Sequence, residues 1–249
     1  MKILFRKIHR WLGLLMAIQI IAWMVSGLWF SLFPIEEIRG EHLTARPELL
    51  ASSEGQADFA DLAPPAFLRE ALDDHLDGPW TLESASLIRS GGRVFWRVAG
   101  ELEGQQFTRL VGDAGVLPPL SAGAAERRAR DLVPGPGVLR DVEWLESAGP
   151  DSEIRGRPLP VWKASFDQPE SLNLYLDPWT GEILARRTDR WRVFDFLWML
   201  HIMDFQSRDD FHHPLLQIAA FLGLVVALGG VALWVVTTSV FRRRRGVGG

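Results

Sequence analysis

The sequence predicts an α+β protein: two helix-plus-antiparallel-sheet repeats outside a membrane, anchored by two transmembrane α-helices. Three observations carry the prediction. The stretches Trp11 to Phe33 and Leu215 to Phe241 contain no Asp, Glu, Lys or Arg. Between them the pattern passes from helical spacing to strand-like alternation, and then does so again. All 31 acidic residues lie in that middle region.

Each charge-free stretch exceeds the roughly 20 apolar residues, at about 1.5 Å rise each, that cross a hydrocarbon core of about 30 Å. Residues 1–33 are therefore the first membrane helix, residues 214–241 the second, and 242–249 a basic tail. The first stretch is longer than the roughly 7 to 15 apolar residues of a cleaved leader, and no Ala-x-Ala follows it, so it is expected to be an uncleaved anchor. Lys2, Arg6, Lys7 and Arg10 precede the first helix and Arg242 to Arg245 follow the second. Basic flanks stay inside, so the expected location is a bacterial inner membrane with both termini cytoplasmic and the central domain periplasmic.

Those eight basic residues leave 19 of the 27 Lys and Arg against 31 acidic residues, a central net charge of −12. Such a region gives no case for nucleic-acid binding, which needs clustered cations. The chain has no cysteine. Disulfides, thiolate metal sites and cysteine nucleophiles are thereby excluded, and burial must stabilise the outer region.

Residues 34–64 are polar and broken by Gly and Pro, which reads as a connector. The first repeat, 65–120, opens with PAFLREALDDHL, where Phe67, Leu68, Leu72 and Leu76 recur at helical spacing. Strands follow in TLESASLIRS, RVFWRVAG and QFTRLVGD, with Val94, Trp96 and Val98 on one face and Phe95 on the other. A turn through Ala114 and Gly115 leads into VLPPL. The second repeat, 121–190, opens with the helical AGAAERRARDLV and continues with RDVEWLES, PVWKASFD and SLNLYLDPWTGEIL as strands. Trp96 and Trp162, and Gly115 and Gly181, are each 66 residues apart. One shared offset points to an internal duplication. In 191–213, Phe194, Leu197, Trp198, His201 and Phe205 recur at three- and four-residue steps, predicting an amphipathic helix along the outer interface, followed by a loop.

The run RPLPVWKASF with LYLDPWTGEILARR resembles the PepSY module found in protease propeptides and membrane proteins. RKIHRWLGLLMAIQIIAWMVSGLWF and LWMLHIMDFQSRDDFHHPLLQIAAFLGLVVALGGVALW resemble the PepSY-associated transmembrane family. The match is most specific at Asp177-Pro178-x-Thr180-Gly181-Glu182 and at His9-Arg10-Trp11; in the first repeat Val111-Gly112-Asp113 replaces the Asp-Pro pair. The resemblance implies two PepSY-like repeats. It also implies two functional directions: the soluble modules are binding or inhibitory domains, whereas four-helix members resemble ferric-siderophore reductases carrying haem b on membrane histidines.

No Gly-x-Ser-x-Gly, His-Glu-x-x-His, phosphate loop or dinucleotide fingerprint is present, and Tyr175 and Asp177 are explained by strand and turn chemistry. The candidate haem ligands are His9 and His201, at opposite ends of a span. At about 1.5 Å per residue they stand roughly 30 Å apart, so one chain cannot clamp one haem between them; a homodimer or a partner subunit would be needed. His9 is either a ligand or an interfacial anchor beside Lys7, Arg10 and Trp11. His201 is either a ligand or a hydrogen-bonded structural imidazole. Ala219-x-x-x-Gly223-x-x-x-Ala227 and Gly13-x-x-x-Ala17 permit close helix approach, between chains or within one. Asp204, Asp209, Asp210, His212 and His213 have donor types suited to a metal, while His213 before Pro214 and the neighbouring aspartates also suit a helix start. The expected partners are the lipid bilayer, a protein partner or second copy, and a ferric siderophore or other metal ligand.

Overall fold

The structure is a computed structural model, and it describes residues 2–45, 66–90, 93–149 and 151–238. In chain order the elements are α1 (Lys2–Leu32), α2 (Ile35–Ile38), a 3₁₀ turn (Glu41–Leu43), α3 (Ala66–Asp73), β1 (Trp80–Ser90), β2 (Arg93–Leu102), β3 (Gln105–Gly112) and β4 (Gly115–Val116), then α4 (Ala122–Leu132), β5 (Val138–Leu145), β6 (Val161–Gln168), β7 (Asn173–Leu176), β8 (Ile183–Arg187), α5 (Asp189–Ile202) and α6 (Pro214–Thr237). They form two compact units: Glu36–Trp191, and the termini Met1–Ile35 with Arg192–Gly249.

The central unit holds two four-stranded antiparallel sheets of the same order, β1-β2-β3-β4 and β5-β6-β7-β8, each preceded by a helix. In the first half, Leu68 and Leu72 of α3 and the following Leu76 are buried with Val98, Phe107 and Val111. Residues four apart share one helix face, whereas Phe67 lies about 100° round from Leu68. Phe67 is accordingly 45% exposed, outside the apolar face the sequence assigned to it. Helix α3 ends at Asp73, and Leu76 is held by its N–H on Leu72 O at 2.8 Å. A bulge in β1 between Leu82 and Ser84 brings Thr81 O against Gly100, where an added Cβ would stand 2.1 Å away. Only glycine fits such an approach.

In the second half, Ala125, Ala129 and Leu132 of α4 pack on Trp162, Ala164, Phe166, Leu174 and Leu176. Ser121 caps α4, accepting from Ala124 N at 3.4 Å. The predicted 66-residue offset places β2 and β3 on β6 and β7, but not the elements before them. Ser90 and Arg93 close a tight hairpin between β1 and β2, whereas β5 and β6 are separated by residues 146–160. This insertion buries Ile154 against Val161, Tyr175 and Ala185, which alternation puts on the sheet face opposite α4. The second sheet is thus covered on both faces.

Residues 36–45 of the expected connector are ordered on this half. Ile38 is 2% exposed, Leu43 packs on the α4 cluster, and Ala45 N donates to Leu132 O at 2.8 Å. The rest of the connector, 46–64, lies outside the described residues, as does 239–249 with its basic tail.

In the terminal unit, α1 and α6 are long and apolar enough to cross a membrane. Helix α1 starts at Lys2, nine residues before the charge-free run, because no proline interrupts the chain between Lys2 and Pro34. Pro34 then ends it. Helix α6 begins with Pro214 at its first position, and His213 caps it by accepting from Leu216 N at 3.4 Å. The two pack antiparallel through small residues: Gly13 faces Val226, Gly223 faces Trp23 and Met16, and Gly230 faces His9. Contact between the spans of one chain uses the small-residue spacing seen in the sequence.

Candidate functional site

The motif Asp177 to Glu182 is a self-capped turn that joins the two repeats. Asp177 Oδ1 accepts from Trp179 N at 2.9 Å, Thr180 N at 2.8 Å and Thr180 Oγ1 at 3.0 Å. Gly181 sits at φ 66°, where its N–H reaches Asp177 O, and an added Cβ would press on Arg128 and Leu120 at 3.2 and 3.3 Å. Pro178 O accepts from Leu120 N at 2.7 Å, and Leu120 O accepts from Trp162 Nε1 at 2.9 Å.

Across the seam, Arg109 of β3 stacks 3.5 Å from the Trp179 ring and Arg97 of β2 pairs with Glu182 at 2.8 Å. Burial lowers the pKa of Arg109, partly offset by Asp177, but a guanidinium remains charged. The half-exposed Arg97 pair contributes at most about 1 kcal/mol, and the stacked cation about 0.5–2 kcal/mol. Alternation of β2 and β3 puts Arg97 and Arg109 on opposite sheet faces, so the turn grips the first repeat from both sides. An open cleft of about 680 Å³ lies beside this seam, lined by Gln105 and Gln106 of the first repeat and by Glu146 and Arg157 to Pro160 of the second.

In the terminal unit, the last turns of α5 dock on one stripe of α1. Gln19, Trp23, Ser26 and Phe30 recur at four-, three- and four-residue steps and so share a face. Gln19 Nε2 donates to Leu200 O at 3.0 Å, and Trp23 Nε1 to His201 O at 2.8 Å. These side chains satisfy carbonyls that the end of α5 would leave bare. Phe30 packs against Phe194 and Trp198 at 5.0 and 5.9 Å and meets His201 edge-on at 5.6 Å. Phe205 lies beyond α5 and is 53% exposed.

His201 is thereby fixed. Its ring stacks on Trp198 and its Nδ1 is 2.6 Å from the fully buried Ser26 Oγ. Ser26 Oγ is also 2.7 Å from Ala22 O and has one proton to give. Donation to Ala22 O, the usual back-bond of a helical serine, assigns the imidazole proton to Nδ1 and leaves the Nε2 lone pair available. His9 lies elsewhere on α1, its ring against Gly230. Seventeen residues separate it from Ser26, roughly 25 Å along the helix. The two candidate haem ligands are not brought together within one chain.

Residues 203–213 form a folded cap. Asp204 is buried, and its two oxygens accept from the N–H groups of Gln206, Ser207, Asp209 and Asp210 and from Ser207 Oγ. Burial works to raise its pKa, but these bonds outweigh it and hold the carboxyl well below the usual range. Arg208 pairs with the buried Asp195, and its carbonyl accepts from Trp198 Nε1 at 3.1 Å. Asp210 accepts from His212 N, and His213 Nε2 is 2.9 Å from Ile202 O. Among the described residues no group of three His, Cys, Asp or Glu is arranged to hold a metal ion.

Sequence reasoning missed Ser26, Gln19 and Trp23 as the receptor for α5, and Arg97 and Arg109 as the grip on the turn. Two polar residues seven apart inside an apolar run were the available signal for the first. The second required knowing which strands meet.

No curated protein and no solved structure matches the chain. The family model described as the PepSY-associated TM region matches residues 6–248. Nearly the whole sequence, with its two apolar helices and the α+β unit between them, thus fits one description, and the chain belongs to the PepSY-associated TM region family.

Proposed function

We propose that the chain is an inner-membrane-anchored accessory or binding protein. Its termini face the cytoplasm, and its tandem repeats, on the periplasmic side, engage a protein partner or a metal-bearing ligand such as a ferric siderophore. The observation that carries this reading is the use made of the family's most specific motif: Asp177 Oδ1 and Thr180 are engaged in the turn, and Trp179 and Glu182 on the other repeat. What the arrangement supports is a two-lobed surface with an open cleft of mixed lining between the repeats, suited to recognition. Affinity capture of the full chain after cross-linking in intact membranes tests it. Recovery of one partner, reduced when Gln105, Gln106 and Arg157 are replaced by Ala, is the expected result; an unchanged partner profile contradicts it.

A second reading is favoured by His201, whose Nδ1 is anchored and whose Nε2 is available among flat aromatic rings. This donor suits haem iron, and a b-type haem bound there supplies one-electron transfer. His201 would hold such a haem together with a donor from a second copy or another subunit. His9, against Gly230, is a second imidazole about 25 Å along α1 from Ser26. The second copy would then provide a haem-carrying electron-transfer subunit, in the manner of the family's reductases. A Soret band in detergent-purified protein from haem-sufficient cells, lost in His201→Ala, supports it. A featureless spectrum removes it.

A further inference from the structure

The 146–160 insertion, which has no counterpart in the first repeat, delivers charge as well as apolar surface. It carries Glu153, Arg155 and Arg157 to the sheet face where Tyr175 and Arg187 stand on β7 and β8. Arg187 lies 4.0 Å from the centre of the Trp191 ring and Arg155 lies 6.0 Å from it. Trp191 lies in the first turn of α5.

Two guanidinium groups thus lie over one tryptophan, and the charge of Arg157 acts on Arg187 beside them. Glu153 brings a carboxylate among them: it accepts from Asn173 Nδ2 at 2.8 Å and from Tyr175 Oη at 3.3 Å, and its carbonyl accepts from Arg187 Nε at 2.8 Å. Burial, and then the charge of Arg157, push Arg187 down to about 10, with Tyr175 and Glu153 opposing and Arg155 adding to the shift. Arg187 therefore stays cationic at neutral pH, and Arg155 and Arg157 bring two further guanidinium groups to this face of a unit that is acidic as a whole.

Guanidinium groups pair with phosphate oxygens in bidentate fashion, and tryptophan is enriched at the headgroup level of bilayers. We infer that Arg155 and Arg157 of the insertion, with Arg187 and Trp191 beside them, bind a phosphate-bearing anion. An anionic phospholipid headgroup and a free phosphate share this chemistry, and the test separates them.

Thermal unfolding of the full chain in a neutral detergent is followed with added phosphatidylglycerol, phosphatidylcholine or inorganic phosphate. Arg157 is exposed, so Arg157→Gln is expected to fold, and the ligand-free midpoint checks this. Arg140→Gln, at an exposed pair with Asp167, is the control. The expected result is a rise of several degrees in the wild type and in Arg140→Gln, at least halved in Arg157→Gln and absent in Arg155→Gln/Arg157→Gln. A response to phosphatidylglycerol but not to inorganic phosphate assigns a lipid headgroup; a response to inorganic phosphate assigns a soluble anion. No response in the wild type, or an equal response in the double variant, overturns the site.

Discussion

Asp177→Ala tests whether the motif is a structural clamp. The substitution removes the acceptor for Trp179 N, Thr180 N and Thr180 Oγ1. Hydrogen bonds to a charged acceptor contribute about 1.5–3 kcal/mol each when buried. Asp177 and Thr180 are partly exposed, so water recovers part of the loss, and about 2–3 kcal/mol in total is expected. For a unit of this size each kcal/mol moves the midpoint by roughly 2–4 °C, which predicts a fall of roughly 5–10 °C. The first repeat supplies the control at Asp113, which is exposed at the corresponding turn before Gly115. Asp113→Ala should stay within about 0.5 kcal/mol. The assay is thermal unfolding of the full chain in detergent, followed by circular dichroism. Equal midpoints for the two variants would refute the assignment of the turn as the clamp.

Three further outcomes follow from named contacts. Gly230→Ala should be tolerated, since its Cβ would meet His9 at an ordinary 3.7 Å, whereas Gly230→Leu should part α1 from α6 and lower the midpoint; equal midpoints would contradict the packing. Gly100→Ala should fail to accumulate as folded protein, because its Cβ would overlap Thr81 O at 2.1 Å; a wild-type yield on size-exclusion chromatography would contradict the close approach. The depressed pKa of Asp204 contributes stability that is present above the usual carboxylate range near pH 4 and is lost as pH falls from there toward the folded value. Asp204→Asn should lower the midpoint at pH 7 and flatten its decline between pH 5 and 3; an unchanged slope would show that the cap of 203–213 does not depend on that charge.

Much of the fold was legible because it rests on local periodicity. The charge-free runs marked α1 and α6, and alternation in RVFWRV placed Trp96 and Val98 opposite Phe95 on β2. His213 before Pro214 foretold a helix cap, since that signal is contained within four residues. The core role of Phe67 was overestimated, because helical spacing was applied to a helix of only eight residues whose face is set by Leu68, Leu72 and Leu76. The insertion at 146–160 was hidden, because one buried residue among those described there, Ile154, in a Gly- and Pro-rich segment leaves no period to detect. The candidate site was legible at His201 as a residue type. Its fixation by Ser26, 175 positions away in sequence, depends on two helices meeting, which local pattern does not encode.

In the proposed topology the middle region is held outside by two spans whose ends share the interior. With no native cysteine, single cysteines report topology cleanly. Ser147→Cys, exposed in the central unit, and Gly248→Cys in the basic tail are treated in intact spheroplasts with a membrane-impermeant maleimide. Labelling at position 147 from outside, and at position 248 only after permeabilisation, is the predicted result. Labelling of both from the same side would contradict the claim.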